Sequence, residues 1–84
     1  MKHTGDSSNI AWYADGGLIV EVLEAAMCKR NGKWTTRARP HYYFKVYRKG
    51  VGEVASWMYQ PSRARRGRLS ERTVAAQVRR EVAA

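Results

Sequence analysis

Four arginines crowd into positions 63–68, at Arg63, Arg65, Arg66 and Arg68, and form the densest cluster of chemically active side chains in the chain. A guanidinium keeps its charge at any physiological pH and presents a fork of N–H donors, so such a cluster grips phosphates or carboxylates and does not shuttle protons. A second set occupies alternate positions: Arg37, Arg39, His41, Tyr43, Lys45 and Tyr47. Alternate side chains of an extended strand point to the same side, so this spacing predicts one basic-aromatic surface, provided Pro40 does not break the parity. Its cations attract phosphate, its tyrosine rings stack on unpaired bases at about 1–3 kcal/mol each, and arginine fits guanine edges. Plainer readings exist for both sets. A wet sheet face commonly mixes tyrosine with lysine, and an arginine-rich loop can be a solvated connector or a grip for acidic protein side chains.

The residue types that carry catalysis do not converge. Ser7 and Ser8 lie in a polar stretch with no acid–base partner nearby, His3 belongs to the same stretch, and Glu21, Glu24 and Glu53 form no carboxylate dyad. Gly16, Gly17, Gly50 and Gly52 suit turns, and none leads into a helix as a phosphate-cradling loop would. One cysteine, Cys28, and two histidines supply neither a disulfide nor the spacing of a zinc site. The expectation is a non-enzymatic protein with no catalytic residue, no metal and no cofactor.

Charge sharpens the binding reading. The 84 residues hold 16 lysines and arginines against 7 acidic residues, a formal net charge of +9. Residues 1–28 carry one basic and four acidic side chains; residues 29–84 carry fifteen basic and three acidic. Such asymmetry suits a polyanionic partner, nucleic acid first and an acidic protein surface second. No apolar run approaches the length of a membrane span, and the N-terminus is polar, so the expected compartment is the cytoplasm, without membrane association. A homodimer is compatible with these features but none of them calls for one.

The elements that must position these residues can be read from periodicity. Residues 1–8 lack it and are expected as a disordered tail, leaving 9–84 as a single domain with an arginine-rich loop at 60–69. Ile10–Ala14 reads as a short strand closed by Asp15-Gly16-Gly17. Residues 18–30 admit two readings. Ile19, Val22, Leu23, Ala26 and Met27 fit a helix face, whereas the β-branched run and the hairpin signal Asn31-Gly32 fit a strand. In the strand reading, the turn pairs Arg30 with Lys33, Met27 with Thr36, Ala25 with Ala38, and Glu24 with Arg39. Lys33–Lys49 alternates throughout, and a further strand over Val51–Tyr59 sets Val51, Ala55, Trp57 and Tyr59 on one side. Trp12, Trp34 and Trp57 are expected in the core or at its rim. Ser70 has the character of an N-cap, with Leu69 and Val74 spaced as a hydrophobic staple, and Val74, Ala75, Val78 and Val82 make an apolar stripe on a helix from Glu71 to about Ala83.

The fold class predicted from these elements is α+β: a three- to four-stranded antiparallel meander with one C-terminal helix packed on its apolar face. Strands followed by a helix, with lysine and arginine on the sheet, resemble in outline the three-stranded DNA-binding domains that lay a sheet in the major groove. In the helical reading of 18–30, Pro40-His41, Phe44-Lys45-Val46 and Gly50-Val51-Gly52 are similar to double-stranded RNA-binding domains, but Leu69-Ser70-Glu71-Arg72 stands where those domains carry a lysine cluster. The functional expectation is a small nucleic-acid-binding protein, DNA ahead of RNA. Its alternative is an interaction factor, such as an inhibitor or adaptor of phage or mobile-element origin, that docks its basic surface on an acidic protein or a nucleic-acid-binding complex.

Overall fold

The computed structural model describes residues 1–62 and 67–82, with residues 37–39 described by their backbone alone. Five strands, β1 (Lys2–Ser7), β2 (Ile10–Asp15), β3 (Leu18–Arg30), β4 (Lys33–Arg48) and β5 (Gly52–Tyr59), precede one helix, α1 (Glu71–Glu81). The strands form an open antiparallel meander in chain order, β1-β2-β3-β4-β5. The α+β class, the meander and the C-terminal helix agree with the sequence reading, and the strand count exceeds it.

The extra strand is β1, drawn from the residues expected as a disordered tail. Its sequence, KHTGDS, has no strand-forming pattern, and it is held by contacts from far along the chain. The His3 backbone N–H donates to the Glu71 carboxylate at the start of α1, and the His3 ring lies 5.4 Å from that of Tyr13. Pairing of β1 with β2 then satisfies the backbone groups along one side.

Residues 18–30 are strand, and the turn they feed explains why. Asn31 (φ 50°) and Gly32 (φ 77°) both adopt left-handed backbone, the requirement of the two-residue turn whose twist matches a hairpin. Arg30 pairs with Lys33 and Met27 with Thr36, as the turn dictates. Beyond that point the register slips: Ala25 faces His41 and Glu24 faces Tyr42, so the expected pairs of Ala25 with Ala38 and Glu24 with Arg39 do not form. The slip sits around Pro40, which cannot donate a ladder hydrogen bond and is itself buried.

The core lies between one sheet face and α1. Tyr13, Val20, Val22, Tyr42, Phe44 and Val46 are buried on the sheet, and Leu69, Val74 and Val78 close over them. Phe44 and Trp57 stack with ring centroids 4.9 Å apart, and the Trp57 indole N–H donates to Gln77 of the helix at 3.2 Å. The helix starts where the sequence predicts. The Ser70 hydroxyl accepts from the Thr73 N–H at 3.2 Å, and both staple residues, Leu69 and Val74, are buried. On β5, Ala55, Trp57 and Tyr59 pack against the core as expected, but Val51 does not share their side: it precedes the strand and is exposed, and a bulge opposite Val46 and Tyr47 breaks the alternation. Among the described residues, no helix is long and apolar enough to cross a membrane.

Candidate nucleic-acid interface

Strand β4 presents Tyr43, Lys45 and Tyr47 on the face opposite the helix, because Tyr42, Phe44 and Val46 are turned into the core. His41 shares their parity and is half-buried. The neighbouring strands change what this face is. Tyr43 lies between Leu23 and Met58, Lys45 between Glu21 and Ser56, and Tyr47 between Ile19 and Glu53. Read along β4 alone the surface is basic and aromatic; read across the sheet it is mixed, with Ile19 44% and Met58 52% exposed beside the carboxylates of Glu21 and Glu53, which oppose the cationic character. Cross-strand composition, which a single strand's sequence does not reveal, decides the chemistry of a sheet face.

The arginine loop is rooted on the other face. Arg63, Arg65 and Arg66 lie outside the described residues, as do the side chains of Arg37 and Arg39. The loop's return is held by three hydrogen bonds. The Tyr42 hydroxyl donates to the Gly67 carbonyl at 2.7 Å, the Gly67 N–H donates to the Glu24 carboxylate at 2.9 Å, and the buried Tyr13 hydroxyl donates to the Leu69 carbonyl at 2.6 Å. Tyr13 and Tyr42 point to the helix side of the sheet, so Arg68 and the β4 set of Tyr43, Lys45 and Tyr47 lie on opposite faces. The sheet separates Arg68 from Tyr43, Lys45 and Tyr47, which the sequence suggested would act together. Burial pushes the Tyr13 hydroxyl above its usual 10.0, an effect that the nearby Arg68 charge opposes.

A cleft of about 310 Å³ opens beside this root, bordered by Asp6, Asn9, Glu24, Tyr42 and Arg68. Its two carboxylates are engaged: Asp6 accepts from His3 Nε2 at 2.9 Å, and Glu24 holds the Gly67 amide. Among the described residues, no three His, Cys, Asp or Glu side chains gather where they could hold a metal ion.

The sequence reading passed over the distal β3–β4 hairpin as a site. Pairing with β2 stops at Leu23 and pairing with β5 stops at Tyr42, so from Met27 to Thr36 the two long strands pair only with each other. They project as a two-stranded arm, consistent with a molecule 43 Å long and 23 by 22 Å across. Lys29, Arg30 and Lys33 are exposed on it, and Trp34, expected in the core or at its rim, is 66% exposed with the Lys29 ammonium 5.8 Å from its ring centroid. The signal for the arm was available in the lengths of the two alternating runs, which exceed those of their neighbours. No protein family, no curated protein and no solved structure matches the chain.

Proposed function

We propose that this chain is a small non-enzymatic nucleic-acid-binding protein, with DNA ahead of RNA, and that it grips its ligand at the end from which the β3–β4 arm projects. The observation that carries the reading is the placement of charge. Between Glu24 and Glu53 the sequence contains eight lysines and arginines and no acidic residue. Three of those cations, Lys29, Arg30 and Lys33, stand on the arm, whereas Arg48 and Lys49 lie at the opposite end of the sheet; both roots of the arginine loop, Pro61 beyond β5 and Gly67 on Glu24, are at the arm's end. Three exposed cations gathered on one projecting arm, in a chain of net charge +9, are the electrostatic footprint expected of a phosphate-binding surface.

Titration with fluorescent duplex and single-stranded oligonucleotides at several salt concentrations tests it. Each neutralised phosphate releases a condensed counterion, so log affinity should fall against log salt with a slope of about −0.9 per contact on duplex and about −0.7 on single strands. Binding no tighter than about 100 µM at low salt, for every oligonucleotide, would remove this reading.

One observation favours a second reading. The open sheet face, with Ile19, Tyr43 and Met58 exposed around the Glu21–Lys45 pair, is more apolar than a phosphate-binding surface needs to be. A protein partner with an acidic rim would suit that face and the net positive charge together. Substitution of Tyr43 and Met58 by serine would then abolish partner capture while leaving oligonucleotide binding unchanged.

A further inference from the structure

We infer that the β3–β4 arm enters the major groove of duplex DNA and turns the face bearing Met27, Lys29, Trp34 and Thr36 toward the bases. The inference rests on the nucleic-acid reading and assigns a site within it. Register fixes which side chains share a face. Met27 pairs with Thr36 and Lys29 with Trp34, whereas Cys28 pairs with Thr35 and Arg30 with Lys33, and successive pairs alternate between the two faces.

The two faces of the arm differ. On the first, the Trp34 ring is 66% and Met27 46% exposed, with Lys29 beside the indole and the Thr36 hydroxyl donating to the Met27 sulfur at 3.7 Å. On the second, Cys28 and Thr35 contact each other at 3.6 Å, and Arg30 and Lys33 flank the turn. Beyond the Lys29 ammonium beside it, the Trp34 ring is turned to solvent on a projecting arm, and the cations around it select an anionic partner.

A two-stranded ribbon fits the roughly 12 Å major groove of B-form DNA. In that position Lys29 reaches the N7 and O6 acceptors of guanine, and Trp34 and Met27 meet the thymine methyl groups, the apolar features of that groove. Arg30 and Lys33, at the tip, reach the phosphates along the groove wall. The deep, narrow major groove of A-form RNA does not admit side chains, so the same arm discriminates against double-stranded RNA.

The test compares wild type with Trp34→Ala and with the triple variant Lys29→Ala/Arg30→Ala/Lys33→Ala on a mixed-sequence duplex, on double-stranded RNA, and on the duplex with methyl green or netropsin added. Circular dichroism and Tm verify folding, which neither variant should disturb, since all four side chains are exposed. Trp34→Ala should weaken duplex binding by about 5- to 100-fold with its salt slope unchanged, the size expected for loss of a base-edge contact. The triple variant should flatten the slope by up to about 2.7. Methyl green, a major-groove ligand, should compete and the minor-groove ligand netropsin should not, and RNA should bind at least tenfold more weakly than DNA, about the loss of one base-edge contact. A wild type that binds no nucleic acid defeats the parent reading. A wild type that binds DNA while both variants equal it, or that yields to netropsin alone, overturns the arm assignment and leaves the parent reading in place.

Discussion

Tyr13 shows how one side chain joins distant parts of the chain. Its ring is buried between sheet and helix, and its hydroxyl fixes the Leu69 carbonyl immediately before the N-cap, 56 residues away. Tyr13→Phe keeps the ring and leaves that carbonyl without its donor, so chemical denaturation should show a loss of about 1–2 kcal/mol. The pH dependence follows from burial, which raises the hydroxyl's pKa above the unfolded value of 10.0. A group whose folded value is raised contributes stability that is fully present below the unfolded value and lost as pH rises through the folded one. Wild-type stability should therefore hold up to about pH 10 and decline above it, and the decline should be shallower in Tyr13→Phe. Equal alkaline slopes in the two proteins would assign the loss to other groups. None of this was legible in the sequence, where Tyr13 reads only as one aromatic residue in a short strand.

At the scale of elements, legibility tracked how local the determining forces are. The helix was readable because cap, staple and stripe all lie within residues 69–82. The Asn31-Gly32 turn was readable because its backbone requirement is met by two adjacent residues. The slip near Pro40 and the ordering of β1 were not: the first depends on how 37–40 pass Ala26, and the second on contacts from His3 to Tyr13 and Glu71. The candidate site followed the same rule. The parity of Tyr43, Lys45 and Tyr47 was correct, yet the character of their face is set also by Ile19, Glu21, Leu23, Glu53 and Met58 on other strands. For the helix the prediction is sharp. Val78→Asp would put an unpaired carboxylate among Val74 and the core aromatics and should cost about 3 kcal/mol or more, whereas Arg79→Ala on the exposed side should change stability by less than about 0.5 kcal/mol. Ser70→Ala should fall between them, at about 1 kcal/mol, through loss of the cap. Thermal denaturation of the three variants would check the order, and a silent Val78→Asp would mean that the helix does not pack on the sheet.

For the whole molecule, one charge distribution imposes two opposite salt dependences. A net charge of +9 on 84 residues produces self-repulsion in the folded state that added salt screens. Local ion pairs would oppose this trend, since salt weakens them too, but those among the described residues are slight: His3 with Asp6 at 2.9 Å, and Arg80 with its chain neighbour Glu81 at 3.8 Å, both toward solvent. Repulsion therefore dominates. Raising NaCl from about 20 mM to about 300 mM, across which the screening length falls from roughly 20 Å to below 10 Å, should raise the Tm of the free protein. A gain of about 0.5–1 kcal/mol corresponds to about 2–8 °C for a domain of this size. The same change of salt should weaken oligonucleotide binding, because the charges that repel one another in the free protein are those that displace counterions from phosphate. Added duplex should accordingly raise the Tm most at low salt, where the free protein is least stable, and the increment should vanish as salt rises. Calorimetry of the protein with and without duplex across the salt series measures both trends together. A Tm that falls with salt in the free protein would show that attractive pairs, and not the net charge, govern its electrostatics, and would take away the physical basis for a phosphate-binding end.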